Sequence, residues 1–322
     1  MPDRPPIVAV TRPLPGGIEI EGADVRVWRG AAPSRDVLLG FVGGATAAVT
    51  WVTERVDEAF LDAAGDNLRV VSNFAVGFDN IDTDACRERG VIVTNTPDAV
   101  TEGTANLAIG LMLAAARRIG EGDRFVRSGA WARQGALGPE DFMGRDLANG
   151  LFLVVGAGRI GFATALRARA FGMQIGYVAR SRHLEFEMAP LTGVRMTLDD
   201  GLKRADVVSV HCPLTDATRG MIGRDELARM RPEAVLVNTA RGPVVDESAL
   251  AEALAERRIF AAGLDVFERE PEVNARLREL ENVVMTPHMG SAEARWRREM
   301  TRIVTENVTA VLAGREPPNR VV

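Results

Sequence analysis

A glycine-rich turn constrains the fold of this chain more than any other feature of its sequence. The apolar run Leu151–Val155 ends at Gly156, and Gly158 and Gly161 complete the pattern G-x-G-x-x-G before helix-forming sequence at 162–171. The first glycine permits a tight turn, the second lets backbone approach a pyrophosphate, and the third lets helix and strand pack closely. Because strand, turn and helix occur in this order, the pattern predicts a dinucleotide site rather than a purely structural turn.

The next predicted strand bears on which dinucleotide is bound. Residues 173–178 read as a strand, and Arg180, Ser181 and Arg182 follow it, about 20 residues past the glycines, where an NAD site usually carries an acidic residue. Two guanidinium groups and a hydroxyl suit a 2′-phosphate better than a ribose hydroxyl. We expect NADP(H) to be preferred, with NAD(H) as the alternative cofactor; the competing interpretation is a solvated basic turn.

Composition excludes several classes of function. The chain has 322 residues, 46% hydrophobic and 26% charged, with a net charge of −5, which is typical of a globular protein of about two domains. It has no basic run for nucleic acid or a membrane surface, and no apolar stretch of about 18 residues that could span a bilayer. Cys86 and Cys212 form neither a disulfide framework nor a metal-ligand spacing, and no signal peptide is recognisable. We expect a cytoplasmic protein without a metal.

Strands and helices alternate before the glycine-rich turn. The predicted strands are Ile7–Thr11, Val25–Trp28, Ala47–Val52, Leu68–Phe74 and Val91–Thr94. This alternation indicates a parallel sheet of its own and therefore a separate domain. A long helix is predicted over Thr101–Arg118, ended by Gly120, and residues 131–143 form an excursion without clear periodicity. A final helix continues to Leu312, and we expect it to return to the first domain.

Polar clusters follow each predicted strand after the glycine-rich turn. The strands are Val207–Val210, Ala234–Val237, Ala261–Leu264 and Val283–Met285, and the clusters are His211–Pro213, Asn238–Gly242, Asp265 and Thr286–His288. The carboxyl ends of parallel strands lie along one edge, where ligands bind. We therefore expect these clusters to converge on a single site.

Histidines are scarce, which narrows the choice of a proton carrier to His183, His211 and His288. His288 is favoured because it follows a strand end and a proline, with small residues after it; His211 is the alternative, and His183 trails the two arginines. Arg241, in a loop of small residues, could hold a substrate carboxylate. A carboxylate on His288 would favour the charged imidazolium. Spacing alone leaves Glu268 and Glu270 open for that role.

Six longer stretches resemble the D-isomer-specific 2-hydroxyacid dehydrogenases, and within them the glyoxylate/hydroxypyruvate reductases. They are NFAVGFDNID, VTNTPDAVTEGTANLAIGLMLAAARR, GAGRIG, NTARGPVVDESAL, AGLDVFEREP and NVVMTPHMGSA, spread over nearly the whole chain. The family's catalytic Arg, Glu before Pro, and His after Pro map onto Arg241, Glu270 and His288. The resemblance implies an NAD(P)-dependent oxidoreductase that reduces a small 2-oxo acid.

The resemblance also implies an architecture and further contacts. The expected fold is α/β, with a Rossmann domain at 99–288 inserted in a flavodoxin-like substrate domain at 1–98 and 289–322, and a homodimer formed through Leu107–Phe142. Val76 and Gly77 would bind the substrate carboxylate, with Arg241. The candidate contacts to the cofactor are Gly156, Gly158, Arg159, Ile160, Gly161, Arg180, Ser181, Arg182, Pro213, Thr239, Ala240, Asp265 and Gly290.

Three positions depart from the family pattern near the expected substrate pocket. Trp51 replaces a smaller apolar residue, and Leu137 and Asp141 stand where several glyoxylate reductases carry tryptophans. These departures leave a sugar-acid reductase of the 2-ketogluconate type as an alternative, with Trp51 as a candidate substrate contact or a core residue. A more remote alternative is a dinucleotide-sensing corepressor, which keeps the same three catalytic residues but need not turn substrate over.

Overall fold

The computed structural model describes residues 4–322 and divides the chain into two units. One unit comprises Met1–Val100 and Ser291–Val322, and the other comprises Thr101–Gly290. The first unit is therefore discontinuous in sequence. Across residues 4–322, no helix combines the length and the apolar character needed to cross a bilayer.

The elements follow the alternation that the sequence predicts. The strands are β1 Ile7–Val10, β2 Asp24–Val27, β3 Ala47–Thr50, β4 Val70–Asn73, β5 Ile92–Thr94, β6 Leu151–Val155, β7 Gln174–Val178, β8 Val194–Arg195, β9 Val207–Val210, β10 Val235–Asn238, β11 Ala261–Leu264 and β12 Val283–Met285. The helices are α1 Arg35–Val42, α2 Glu58–Ala64, α3 Thr83–Glu88, α4 Thr101–Ala116, α5 Ile119–Arg127, α6 Ala130–Gln134, α7 Arg159–Ala170, α8 Leu184–Glu187, α9 Leu198–Arg204, α10 Arg224–Arg229, α11 Glu247–Ala255, α12 Ala275–Glu279 and α13 Ala294–Leu312. A 3-10 helix spans Gly242–Val244.

Each unit is built on one parallel sheet, which confirms the predicted α/β class. The first sheet has the order β2-β1-β3-β4-β5, which is the flavodoxin-like order. The second has the order β12-β11-β10-β9-β6-β7-β8. From β6, the strands β7 and β8 are added on one side and β9 to β12 on the other, so the strand order reverses between β6 and β9. In such doubly wound sheets, ligands bind at the carboxyl ends of the strands beside this reversal.

The continuous apolar run of β6 is explained by burial on both faces of its sheet. Leu153 and Val155 pack into one apolar cluster, with residues of β9, β10 and β11. Phe152 and Val154 pack into a second cluster on the other face, with residues of α4, α7 and β7. Because successive side chains of a strand alternate between faces, a strand covered on both sides needs apolar residues at every position.

The end of the long helix differs from the prediction. Gly120 was expected to end it, but α4 ends at Ala116 and Gly120 lies in the first turn of α5. Arg118 adopts the left-handed conformation with φ of 54°, and this residue separates the two helices. The excursion at 131–143 also begins with regular structure, since α6 covers its first residues.

Candidate active site

The glycine-rich turn lies at the carboxyl end of β6, and each glycine has a different local reason. A Cβ on Gly156, whose φ is 105°, would lie 2.6 Å from the Cys212 nitrogen. A Cβ on Gly161 would lie 2.4 Å from the Gly156 oxygen. Gly158 differs, because a Cβ there would meet nothing within 4 Å. Protein atoms thus crowd Gly156 and Gly161, whereas the space beside Gly158 is open to solvent. That open space fits a pyrophosphate at the N-terminus of α7.

Arg159 and Ile160, between the second and third glycines, form the beginning of α7. Arg159 is the first residue of α7 and is exposed, and Ile160 is half-buried. Gly158 is the N-cap residue and offers no side chain to the free N–H groups of the first turn. Those N–H groups therefore remain for a ligand phosphate.

The basic segment after β7 contains a carboxylate partner that the sequence analysis missed. Arg180 and Ser181 are exposed. The Arg182 guanidinium donates from Nε to Glu187 Oε2 over 2.6 Å. His183 Nδ1 lies 2.9 Å from Glu185 Oε1. Glu187 lies five residues beyond Arg182, at the end of α8, and not directly after β7, where the sequence pattern expects an acidic residue.

Further candidate cofactor contacts lie after β9 and β10. Pro213 is exposed, and its carbonyl accepts a hydrogen bond from Thr218 Oγ1 over 2.7 Å. The Thr239 hydroxyl is buried and has no hydrogen-bond partner among residues 4–322. Ala240 donates its N–H to Asn238 Oδ1 over 3.0 Å. A buried hydroxyl without a partner is costly, so the Thr239 site fits a group that a bound ligand would supply.

The Arg241 loop is fixed by its neighbours on both sides. The buried Asn238 side chain, at the end of β10, donates from Nδ2 to the Arg241 carbonyl over 3.0 Å. On the other side, a Cβ on Gly242 would lie 1.9 Å from the Phe267 carbonyl carbon. The loop therefore packs directly against the backbone that leads to Glu270. The sequence analysis predicted no role for Asn238 or Gly242 in positioning Arg241. The glycine directly after Arg241 was the one sequence feature that could have indicated a tightly packed loop.

His288 and Glu270 are in direct contact. His288 Nδ1 lies 2.7 Å from Glu270 Oε2, and both side chains are half-buried. Glu270 Oε1 accepts the Phe267 N–H over 3.0 Å. Glu268 instead accepts the Glu247 N–H over 3.0 Å, at the start of α11. The structure thus places Glu270, and not Glu268, on His288.

Asp265 holds the turn that carries His288. Its carboxylate accepts hydrogen bonds from Thr286 Oγ1 over 2.6 Å, from the Met289 N–H over 2.8 Å and from the Gly290 N–H over 2.8 Å. The His288 N–H donates to the Asp265 carbonyl over 2.9 Å. Burial raises the pKa of Asp265 above its ordinary value, against the lowering effect of these donors. This network fixes His288, whose φ is 50°.

His211, the alternative proton carrier, has a different environment. Its Nε2 lies 2.8 Å from Ser209 Oγ, and its Nδ1 is buried without a hydrogen-bond partner among the described residues. Burial lowers the pKa of His211 to about 3. The ring is therefore neutral near pH 7 and has no carboxylate to stabilise a charged form.

The candidate substrate residues of the first unit lie at the carboxyl ends of β3 and β4. The Trp51 ring lies 5.5 Å from the Phe74 ring, and the Arg297 guanidinium carbon lies 4.6 Å from the centre of the indole. Asn73 Nδ2 donates to the Gly77 carbonyl over 2.7 Å. Within residues 4–322, the N–H groups of Val76 and Gly77 donate no hydrogen bond. Successive backbone N–H groups that donate no hydrogen bond within the protein can bind an anion.

The two other departures from the family pattern lie in the excursion. Leu137 is exposed. The Asp141 carboxylate accepts the Gly138 N–H over 2.8 Å, so it caps its own turn.

Comparisons with known proteins find relatives along nearly the whole chain. The family model for the NAD binding domain of D-isomer specific 2-hydroxyacid dehydrogenases matches residues 109–290. A glyoxylate reductase of Thermococcus litoralis is 45% identical over 322 residues, covering 98% of this chain and 96% of that protein. A glyoxylate reductase of Thermococcus kodakarensis is 46% identical over 321 residues, with coverage of 98% and 96%.

Solved structures match along the full chain as well. A Thermus thermophilus protein of 43% identity aligns with a TM-score of 0.89, covering 98% of this chain and 100% of its own. An NADPH-dependent glyoxylate/hydroxypyruvate reductase of Sinorhizobium meliloti, solved with NADP and malonate, has 31% identity, a TM-score of 0.84 and coverage of 99% and 97%. The chain belongs to the D-isomer specific 2-hydroxyacid dehydrogenase family and is a nicotinamide-dinucleotide-dependent oxidoreductase acting on a CH–OH group.

Proposed function

We propose that this protein reduces a small 2-oxo acid, glyoxylate or hydroxypyruvate, to the 2-hydroxy acid, with NADPH preferred over NADH. The observation that carries the proposal is the contact between His288 and Glu270, 2.7 Å apart, beside the loop of Arg241. The glyoxylate reductases among the relatives and the glyoxylate/hydroxypyruvate reductase among the solved structures support this substrate class.

His288 is the proposed proton donor. Its Nδ1 is engaged by Glu270, which leaves Nε2 as the ring nitrogen that can give a proton to the oxygen on C2. A bound nicotinamide would supply the hydride that reaches C2. Glu270 would orient the ring and stabilise the imidazolium, and its own position is set by the Phe267 N–H.

Arg241 is the proposed anchor for the substrate carboxylate. A guanidinium can bind a carboxylate through two parallel hydrogen bonds and so fix the orientation of the adjacent carbonyl. Asn238 and Gly242 hold the backbone on either side of it. In the first unit, the N–H groups of Val76 and Gly77 are proposed to bind a carboxylate, with Trp51 on the same sheet edge as a determinant of substrate size.

The cofactor contacts are proposed on two grounds. Gly158 leaves open space for the pyrophosphate at the start of α7. Arg180, Ser181 and Arg182 offer cationic and hydroxyl groups to a 2′-phosphate. Thr239, Ala240, Asp265 and Gly290 are proposed to lie along the nicotinamide, and the unpartnered Thr239 hydroxyl supports this placement.

The decisive experiment is a steady-state assay of NADPH and NADH oxidation with glyoxylate, hydroxypyruvate and 2-ketogluconate. We expect the highest kcat/KM with NADPH and one of the first two acids. Turnover of 2-ketogluconate alone would replace the proposal with a sugar-acid reductase. Tight binding of the dinucleotide without turnover of any acid would favour a sensing role instead.

A further inference from the structure

Glu187 is an acidic residue in the segment that we propose for the 2′-phosphate, and it is held rigidly. Its Oε2 accepts from Arg182 Nε over 2.6 Å, and it also forms an ion pair with Arg182 Nη2 at 2.5 Å. Its Oε1 accepts the Tyr177 hydroxyl over 2.8 Å. Tyr177 is fully buried within β7. Glu187 therefore cannot swing away from the arginine without losing a hydrogen bond to the core.

The charge of Glu187 persists at neutral pH. Hydrogen bonds from Arg182 and Tyr177 lower the pKa of Glu187 below its ordinary value. The ionised carboxylate neutralises one of the two guanidinium groups in the basic segment. The Arg182 side chain is 67% exposed, so water and salt screen the pair and keep its effect moderate.

The remainder of the basic segment is organised differently. Arg195 Nη2 donates to the carbonyls of Ala179 and Arg180, over 3.0 and 2.8 Å, and so holds the backbone of the turn. The Arg180 side chain is exposed and forms no ion pair with any residue in the described part of the chain. Arg180 is thus the guanidinium of this segment without an ion pair among the described residues, while Ser181 Oγ lies 3.5 Å from His183 Nε2.

We propose that Glu187 limits the preference of this enzyme for NADPH over NADH, an inference that rests on the proposed function. A 2′-phosphate that reaches this segment would meet one guanidinium already paired, and a fixed negative charge beside it. The neutral 2′-hydroxyl of NADH carries no charge to be repelled. Loss of the Glu187 charge should therefore strengthen the binding of NADPH selectively.

The test is titration of NADPH and of NADH by calorimetry, with the unaltered protein and with Glu187→Gln. Glutamine keeps the size of the side chain and an acceptor oxygen but removes the charge. We expect about fivefold tighter binding of NADPH and less than about twofold change for NADH, the size of a screened charge pair near a protein surface. The ratio of kcat/KM for the two cofactors should rise by the same factor.

Glu185→Gln is the matched control. It removes the same charge from the same helix, but Glu185 contacts His183 rather than an arginine. We expect the affinity ratio of this variant to stay within about twofold of the original, because only general charge is altered. An equal gain in NADPH affinity in both variants would overturn the specific role of Glu187.

Two further outcomes would also overturn the inference. One is unchanged or weaker binding of NADPH by Glu187→Gln, which would mean that the carboxylate orients Arg182 for the phosphate. The other is failure of the unaltered protein to bind either nucleotide. If Glu187→Gln does not fold, Glu187→Ala must change the affinity in the same direction. Because titration needs no turnover, absence of 2-oxo acid reduction would count against the proposed function alone.

Discussion

At the residue scale, different side chains position the ring and the backbone of His288. Glu270 contacts the ring at Nδ1, while Asp265 binds the backbone of the turn through Met289 and Gly290. Ring orientation and backbone conformation are thus set by two different carboxylates. The chemistry that we assign to His288 depends on both, since a proton donor must be held within hydrogen-bond reach of its acceptor.

The first prediction concerns His288 itself. His288→Ala should lower kcat by about 10²- to 10⁴-fold, the usual contribution of a general acid, with a much smaller change in KM. Steady-state kinetics with the preferred 2-oxo acid measures both values. An unchanged kcat would remove His288 from the role of proton donor.

The second prediction separates His288 from His211. Burial lowers the pKa of His211 to about 3, so this ring is neutral above about pH 4 and gains a proton only below it. His211→Gln should therefore leave the shape of the kcat/KM profile between about pH 5 and 9 unchanged. Loss of an ionisation from that profile would show that His211 titrates in the working range.

At the scale of elements, the strand–turn–helix unit of β6 and α7 separates packing from ligand binding. Gly156 and Gly161 are surrounded by backbone, whereas Gly158 is open to solvent. The same motif therefore contains glycines that the fold needs and one that we propose the cofactor needs.

The third prediction tests this division. Gly161→Ala should unfold at a lower temperature, because the added Cβ would lie 2.4 Å from the Gly156 oxygen. Gly158→Ala should keep the original melting temperature within about 2 °C but bind the dinucleotide at least about tenfold more weakly, because the methyl group would occupy the space of the pyrophosphate. Calorimetric melting and nucleotide titration measure the two properties. Equal nucleotide affinity in Gly158→Ala and the unaltered protein would contradict the assignment.

At the scale of the whole molecule, one stretch of the chain exposes five large apolar side chains. Among the described residues, the stretch from α5 to the end of the excursion exposes Ile119, Val126, Trp131, Leu137 and Met143. Clustered apolar exposure marks a surface that associates with a partner. Together with the family resemblance, this supports the proposal that residues 107–142 form a homodimer interface.

The fourth prediction follows from that proposal. Trp131→Glu should shift the protein from dimer to monomer, because Trp131 is 50% exposed and a buried, unpaired carboxylate would oppose association. Sedimentation velocity over a range of protein concentrations measures the change. Val37→Glu, at a residue 43% exposed on α1, is the control and should sediment like the unaltered protein. Identical sedimentation of both variants and the original protein would refute the interface.

Local sequence determined much of this protein. The apolar run of β6 and its glycines specify strand, turn and helix, because backbone conformation and burial on two faces leave few other residues acceptable. The repeated alternation of strands and helices specified two parallel sheets, whose carboxyl ends gather the polar clusters. The family and the class of reaction followed from motifs that combine these local requirements.

Tertiary structure decided what local sequence left open. Spacing could not distinguish Glu268 from Glu270, because the choice depends on which carboxylate reaches β12's turn and which reaches α11. Spacing also could not predict the ion pair of Arg182 with Glu187. The two side chains meet because α8 packs against Tyr177, whose hydroxyl binds Glu187. The partner of a charged side chain is decided by tertiary packing. Packing brings residues together in ways that their spacing along the chain does not predict.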